Sequence, residues 1–322
     1  MKKNVLLLET VADEALALLQ EKANVFTAYG TQPVAEILAT QTIHAVITRG
    51  KGQVNQALLA ACPNLEVAAR CGVGLDNVDV AAATAQNVKV INAPGANAGT
   101  IAEHTLTLML LLLRNVYQSV AQVKAGNWNW RNGFQGDELA GKTLGILGLG
   151  NIGGRVARLA EAFGMRVIYW NRSEKHTPYQ ALPLEEVLQQ ADVVSLHLPL
   201  SPDTEEILSE KELALMPPHA FLINTARGSL VNQAALLKAL DSGTLAGYGA
   251  DVLTTEPPAP ADPLVNHPRT LITPHVGSLT ITTYVHMCVF TVQNVLAVLA
   301  GEPPVPESIF NRHHLPDKTN LS

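Results

Sequence analysis

Short apolar runs alternate with amphipathic stretches along nearly the whole chain, and that rhythm restricts the fold more than any single motif. Runs at 5–8, 45–48, 67–69 and 88–91 read as buried strands with helical patterns between them. A second series begins at Lys142, with strands near 143–147, 166–170, 193–196, 221–224, 246–251 and 270–272. Such alternation predicts an α/β fold of doubly wound parallel sheets, with helices on both faces of each. Between the two series, residues 126–141 are glycine-punctuated, carry Trp128 and Trp130, and read as a loop. After Pro274 the pattern becomes one long apolar helix, about 279–299, and the tail from Gly301 reads as irregular. A length of 322 residues allows two domains of ordinary size.

Composition narrows the partners. A net charge of −6 gives no reason to expect nucleic acid or an anionic membrane, both of which call for a basic surface. An anionic substrate must then be met by a few locally placed cations. Cys62, Cys71 and Cys288 are scattered with no metal-ligand spacing, so no metal is expected, and buried thiols in a reducing, cytoplasmic setting are. The N-terminal MKKNVLLLET reads as a first strand rather than a cleaved leader. The apolar run 105–113 is closed by His104 and Arg114, far short of the roughly 20 residues of a membrane span.

The stretch LGILGLGNIG, residues 144–153, places Gly148, Gly150 and Gly153 in GxGxxG register, after an apolar strand and before a helix expected at 155–163. That context is what dinucleotide binding needs: a tight turn, close backbone approach to the pyrophosphate, and helix N–H groups aimed at the phosphates. Asn151 and Ile152 belong to the same loop. The next strand ends in Asn171, Arg172 and Ser173, where NAD enzymes place an acid on the ribose. A carboxylate there would repel the extra phosphate of NADP by about 4 kcal/mol at 4 Å and an effective dielectric of 20. Asn171 removes that repulsion, Arg172 offers a fork for phosphate oxygens and Ser173 a donor, with Lys175 and His176 nearby and Glu174 opposing. NADP is therefore the expected cofactor, with NAD possible through an Asn171–ribose bond.

Three further motifs follow: INTARGSLV (223–231), ADVLTTEP (250–257) and TPHVG (273–277). Arg227, Glu256 and His275 each lie just beyond a strand, at the end of a parallel sheet where ligands bind. Upstream stand RCGVGLDNVD (70–79), NAPGAN (92–97) and AEH (102–104). In this order the motifs resemble those of the D-2-hydroxyacid dehydrogenases, the family of glyoxylate and hydroxypyruvate reductases, D-lactate dehydrogenases and phosphoglycerate dehydrogenases, over residues 45–300.

The resemblance implies a Rossmann cofactor domain, residues 99–281, inserted into a flavodoxin-like substrate domain made of 1–98 and 282–322. It also implies an active site in the cleft between the domains and a homodimer formed mainly through the cofactor domain. Reducing a 2-keto acid needs a hydride donor, a cation for the carboxylate and an acid for the developing alkoxide. The resemblance gives Arg227 the carboxylate or carbonyl, His275 the proton, and Glu256 the other ring nitrogen of His275. Backbone N–H groups of Val73 and Gly74 are expected on the substrate carboxylate and Arg49 on its distal end, the alternative for Arg49 being a salt-bridged surface residue. Asp251 is expected on the nicotinamide carboxamide and Thr100 on a cofactor phosphate. His197, Pro199, Thr204, Thr225, Ala226 and Gly277 are expected to line the cofactor groove. His104 is expected to be structural.

Glu256 argues against formate as substrate, since formate dehydrogenases of this superfamily carry Gln there. Val73 argues against phosphite, since phosphite dehydrogenases carry Lys in that loop. The regulatory extension of some phosphoglycerate dehydrogenases is not expected after the long helix. Glyoxylate or hydroxypyruvate reduction is the leading reading. NAD-dependent phosphoglycerate oxidation, with Arg49 or Lys51 on the phosphate, stands beside it. A reading of another class is a dinucleotide-sensing protein like the corepressors that resemble these enzymes.

Overall fold

The computed structural model describes residues 2–30 and 32–315. The chain forms two compact units, residues 1–97 with 279–322 and residues 98–278. In each unit the strands of the main sheet pair in parallel throughout, as the alternation implied.

The first unit runs β1 (Asn4–Leu7), α1 (Asp13–Lys22), β2 (Asn24–Thr27), α2 (Val34–Thr40), β3 (Ala45–Thr48), α3 (Gln56–Ala60), β4 (Val67–Arg70), α4 (Val80–Ala85), β5 (Lys89–Ile91). Its sheet order is β2-β1-β3-β4-β5, the flavodoxin-like arrangement. Two-residue periodicity divides the strand side chains between two cores. Val5, Leu7, Ala45, Ile47, Val67 and Ala69 fill one face, while Leu6, Val46, Ala68 and Val90 fill the other. Each buried Val, Leu or Ile among them contributes about 1.5–3 kcal/mol over its exposed state.

The second unit opens with α5 (Ala98–Leu113), α6 (Val116–Lys124) and a 3-10 turn, Trp128–Gly133, inside the stretch expected as loop. It continues β6 (Thr143–Leu147), α7 (Asn151–Ala162), β7 (Arg166–Trp170), β8 (Gln180–Ala181), α8 (Leu184–Gln190), β9 (Val193–Leu196), α9 (Glu210–Leu213), β10 (Phe221–Asn224), α10 (Gln233–Ser242), β11 (Gly247–Ala250), β12 (Thr270–Ile272). The sheet order β12-β11-β10-β9-β6-β7-β8 reverses direction between β6 and β9, so the ligand crevice of a doubly wound sheet lies at their carboxyl ends. α5 and α7 cover one face, through Leu108, Met109, Val156 and Ala160; α8 and α10 cover the other, through Val187, Leu188, Leu236 and Leu240.

The chain returns to the first unit in α11 (Ile281–Ala300), capped by the Thr280 hydroxyl and ended by Gly301 in the left-handed conformation, φ 77°. By length and composition α11 could cross a membrane. In this structure its Cys288, Val292, Val295 and Val298 are core residues packed with α1 and the first sheet. The tail holds the edge of β5: Asn311 accepts the Val90 N–H at 2.9 Å and donates to the Val88 carbonyl at 3.0 Å. Residues 316–322, part of the expected irregular tail, lie outside the described residues.

Candidate active site and dinucleotide groove

Three strand ends of the second unit carry the acid–base residues. After β10, the buried Asn224 accepts the Ala226 N–H at 3.0 Å and donates to the Arg227 carbonyl at 2.8 Å, which shapes the turn presenting Arg227. The Arg227 guanidinium also donates to the Ala226 carbonyl at 2.7 Å. Gly228 follows because nothing larger fits: a Cβ there would lie 2.1 Å from the Leu253 carbonyl carbon. The Arg227 turn thus lies directly on the loop that bears Glu256. Glu256 Oε1 accepts the Leu253 N–H at 2.9 Å, and Oε2 lies 2.7 Å from His275 Nδ1. The sequence expectation paired these two residues. A carboxylate can only accept, so Nδ1 carries the proton, on a side chain that is 49% exposed.

His275 holds φ at 55°, a left-handed conformation that costs a non-glycine residue roughly 1–2 kcal/mol. Asp251 explains how that is sustained. Its carboxylate, 2% exposed, accepts the Thr273 hydroxyl at 2.6 Å, the Val276 N–H at 2.9 Å and the Gly277 N–H at 2.8 Å. Both flanks of His275 are therefore fixed to one anion. Burial alone would raise the Asp251 pKa, but hydrogen bonds from His104, Thr273, Gly277 and Val276 hold it below the usual carboxylate range. His104 Nε2 meets Thr273 Oγ1 at 2.9 Å and lies 3.5 Å from Asp251, so it braces the same loop. The sequence reading expected Asp251 on the nicotinamide; here its carboxylate is the anchor of the 273–277 loop.

The glycine loop shows the geometry that phosphate binding requires. Gly148 has φ 100°, and a Cβ would lie 2.7 Å from the His197 carbonyl oxygen; a Cβ on Gly153 would lie 2.2 Å from the Gly148 oxygen. Around Gly150, by contrast, a Cβ would meet nothing within 4 Å, so open space lies before the start of α7. The helix begins at Asn151, four residues earlier than expected, with Gly150 as N-cap and no side chain capping it. Its first-turn N–H groups, those of Asn151, Ile152 and Gly153, are the kind that bind anions. These features fit a dinucleotide pyrophosphate.

Around the adenosine end, several expected contacts have protein partners. Asn171 Oδ1 accepts the Leu149 N–H at 3.2 Å and its amide donates to the Ser173 carbonyl at 2.7 Å, so it ties β7 to the glycine loop. Arg172 is 87% exposed and lies 3.7 Å from Asp203, itself 79% exposed, an acid that the sequence reading did not include. Burial pushes His197 down to about 3, and its Nε2 meets Ser195 Oγ at 2.9 Å, so it is a neutral wall and not an acid. The Thr204 hydroxyl donates to the Pro199 carbonyl at 2.7 Å and accepts the Ser201 N–H at 2.8 Å, closing a turn. The Thr225 hydroxyl is buried against Thr105 of α5 at 2.9 Å, and Ala226 beside it is half-buried. Thr100 stands in the first turn of α5.

In the first unit, the loop after β4 turns its carbonyls toward the protein. The Gly72 carbonyl accepts the Ala93 N–H at 2.8 Å, Val73 accepts the Asn92 amide at 2.6 Å, and Gly74 accepts the Arg70 guanidinium. Among the described residues, the N–H groups of Val73 and Gly74 have no hydrogen-bond acceptor, which leaves two adjacent donors for an anion. Arg49 lies with its guanidinium carbon 5.4 Å from the Tyr284 ring centroid, a cation–π contact in place of the surface salt bridge weighed from sequence.

Residues 106–277 match the family model described as D-isomer specific 2-hydroxyacid dehydrogenase, NAD binding domain. The glyoxylate reductase of Aeropyrum pernix is 37% identical, over 97% of this chain and 96% of its own length. The D-3-phosphoglycerate dehydrogenase of Methanocaldococcus jannaschii is 33% identical over 98% of this chain, which spans 60% of that protein's length. Among solved structures, the NADPH-dependent glyoxylate/hydroxypyruvate reductase of Sinorhizobium meliloti, in complex with NADP and malonate, is 30% identical with a TM-score of 0.84, over 96% of this chain and 98% of its own. A paired carboxylate and imidazole, a dinucleotide loop and these likenesses lead to one conclusion: the chain belongs to the D-isomer-specific 2-hydroxyacid dehydrogenase family, whose members are NAD(P)-dependent oxidoreductases.

Proposed function

We propose that this enzyme reduces glyoxylate or hydroxypyruvate, with NADPH as the preferred reductant and NADH usable. The observation that carries the reaction is the Glu256–His275 pair, 2.7 Å apart, on a loop packed beside that of Arg227. Glu256 holds Nδ1–H, so Nε2 is the atom that protonates the developing alkoxide, and in the reverse direction the atom that takes the hydroxyl proton. Arg227 meets the keto acid with a planar fork, and the N–H groups of Val73 and Gly74 hold its carboxylate. The dinucleotide, when bound, supplies the hydride. Gly148, Gly150 and the first turn of α7 hold its pyrophosphate.

The end of β7 supports the cofactor preference, since Asn171 carries no charge and Arg172 is open to a phosphate. Asp203 shares the Arg172 charge and both side chains are exposed, so we expect a preference of about tenfold. The NADPH dependence of the Sinorhizobium meliloti relative supports the same reading. A homodimer is supported by α6, which buries none of its residues: Tyr117 is 65% exposed and neighbouring Trp128 66%, beside Val120, Val123 and Phe134. Three free, buried thiols support a cytoplasmic setting, and the net charge of −6 supports no nucleic acid or anionic membrane as partner.

Initial rates of hydroxypyruvate and glyoxylate reduction with NADPH and NADH, side by side, test this. A kcat/KM advantage for NADPH of about tenfold supports it. Equal or better use of NADH, with 3-phosphohydroxypyruvate as the better substrate, would favour a role like that of the Methanocaldococcus jannaschii relative. Dinucleotide binding with no turnover of any keto acid would favour a sensor.

A further inference from the structure

One side-chain oxygen in the first unit takes five hydrogen bonds. Glu9 Oε2 accepts the Thr48 hydroxyl at 2.8 Å and the backbone N–H groups of Arg49 at 2.8 Å, Gly50 at 2.7 Å, Lys51 at 2.9 Å and Gly52 at 3.0 Å. Four consecutive N–H dipoles converging on a point form a nest, a concavity suited to an anion. Glu9 is that anion, supplied from the end of β1, some 40 residues away in sequence. Burial would raise its pKa, yet the N–H groups of Gly50, Gly52 and Arg49 and the Thr48 hydroxyl bring it down to about 2. It is therefore charged at any working pH.

The other side of the loop is fixed as well. Arg70 Nε donates to the Arg49 carbonyl at 2.8 Å, and the Asn77 amide donates to the Gly52 carbonyl at 2.6 Å. A Cβ on Gly52 would lie 2.6 Å from Leu8 Cβ and 2.8 Å from Thr48 Oγ1, so the loop rests directly on the end of β1. Because Arg70 also holds the Gly74 carbonyl, the Arg49–Gly52 loop and the Val73–Gly74 donors share one guanidinium. The backbone is immobilised on both edges, and what it presents is the side chain of Arg49 over Tyr284.

We propose that Glu9 is a positioning residue for substrate selectivity: its carboxylate sets the shape of the Arg49–Gly52 loop, and through that shape the fit of the substrate's distal end. This rests on the proposed reductase reading, with Arg49 taken, as the family resemblance implies, to meet the part of the substrate beyond the keto acid. Hydroxypyruvate has a hydroxymethyl group there and glyoxylate has only hydrogen. The two substrates therefore separate a selectivity role from a general loss of structure.

The test compares wild type, Glu9→Gln and Gly52→Ala for both substrates with NADPH, alongside amide hydrogen exchange of residues 49–52. A gap of an ångström in placement costs up to about a hundredfold, so a partial shift is expected to raise KM for hydroxypyruvate about tenfold and that for glyoxylate less than about threefold. Exchange at 49–52 is expected to quicken in Glu9→Gln, and Gly52→Ala to reproduce the selectivity change by displacing the same loop. Equal changes for both substrates, or none in a variant whose loop amides exchange faster, would overturn the proposal while leaving the reductase reading intact. Should Glu9→Gln fail to fold, Gly52→Ala decides by the same ratio. A wild type that reduces neither substrate removes the reductase reading, and this inference with it.

Discussion

Replacing Asp251 with Asn removes one charge and turns one acceptor into a donor, at a position with no room for either change. In the wild type both oxygens accept, from Thr273, Val276 and Gly277, at 2.6–2.9 Å. The Asn carbonyl oxygen can keep the Thr273 and Val276 bonds, but its NH2 then faces the Gly277 N–H. A buried donor left without an acceptor costs about 1–3 kcal/mol, and the surviving bonds lose their charge-assisted strength. We expect a loss of about 2–4 kcal/mol, which for a unit of this size lowers Tm by about 5–15 °C. Asp251's folded pKa is depressed, so its stabilisation is fully present above the unfolded value, about 3.9, and is lost as pH falls through the folded one. The Tm gap between wild type and Asp251→Asn should therefore be widest near neutrality and close under acid. Freed of its anchor, His275 no longer has reason to hold φ at 55°. A displaced general acid forfeits part of its 10²–10⁴-fold contribution, so kcat should fall about a hundredfold. Thermal melts across pH and steady-state kinetics on the same samples check both. A variant with wild-type Tm and kcat would refute the view that Asp251 anchors the catalytic loop.

Asn171→Asp keeps the oxygen that accepts the Leu149 N–H but sets a carboxylate against the Ser173 carbonyl and any 2′-phosphate; kcat/KM for NADPH should fall about 10–100-fold after solvent screening, with NADH spared. An unchanged NADPH/NADH ratio would show that this position does not read the cofactor. Tyr117→Asp, on the face of α6 that buries nothing, should convert the proposed homodimer to a monomer by light scattering without altering the fold by circular dichroism. A variant that remains dimeric would place the interface elsewhere.

Much of this architecture is legible in the sequence because burial on both faces leaves continuous apolar runs. The strands at 45–48, 143–147, 166–170, 193–196 and 221–224 were each expected from such runs, and each is a strand. β2 (Asn24–Thr27) and β8 (Gln180–Ala181) were not, because both are edge strands of which no residue is buried, so no apolar run marks them. The start of α7 was placed late because Gly153 and Gly154 read as loop, whereas packing of the helix on Gly148 overrides their weak helix propensity.

At the site, the family resemblance implies the pairing of Glu256 with His275, and they bond at 2.7 Å. Partners that depend on distant chain segments were not visible. Asp203 reaches Arg172 from another loop, and Glu9 reaches residues 49–52 from the end of β1. Glu9 carried one signal, an acid directly after an apolar strand at the end where ligands gather. The inward turn of Thr225 could not be read at all, because its Thr105 partner lies 120 residues away.

In the proposed reaction His275, oriented by Glu256, moves the proton during 2-keto acid reduction. His275→Gln keeps a polar side chain on the loop but supplies no proton at Nε2. The most direct measurement is the NADPH-consumption rate with hydroxypyruvate for wild type and His275→Gln, alongside dinucleotide affinity by fluorescence. The expected result is a fall in kcat of about 10²–10⁴-fold with unchanged dinucleotide affinity. A His275→Gln enzyme within about threefold of wild type at unchanged affinity would contradict it.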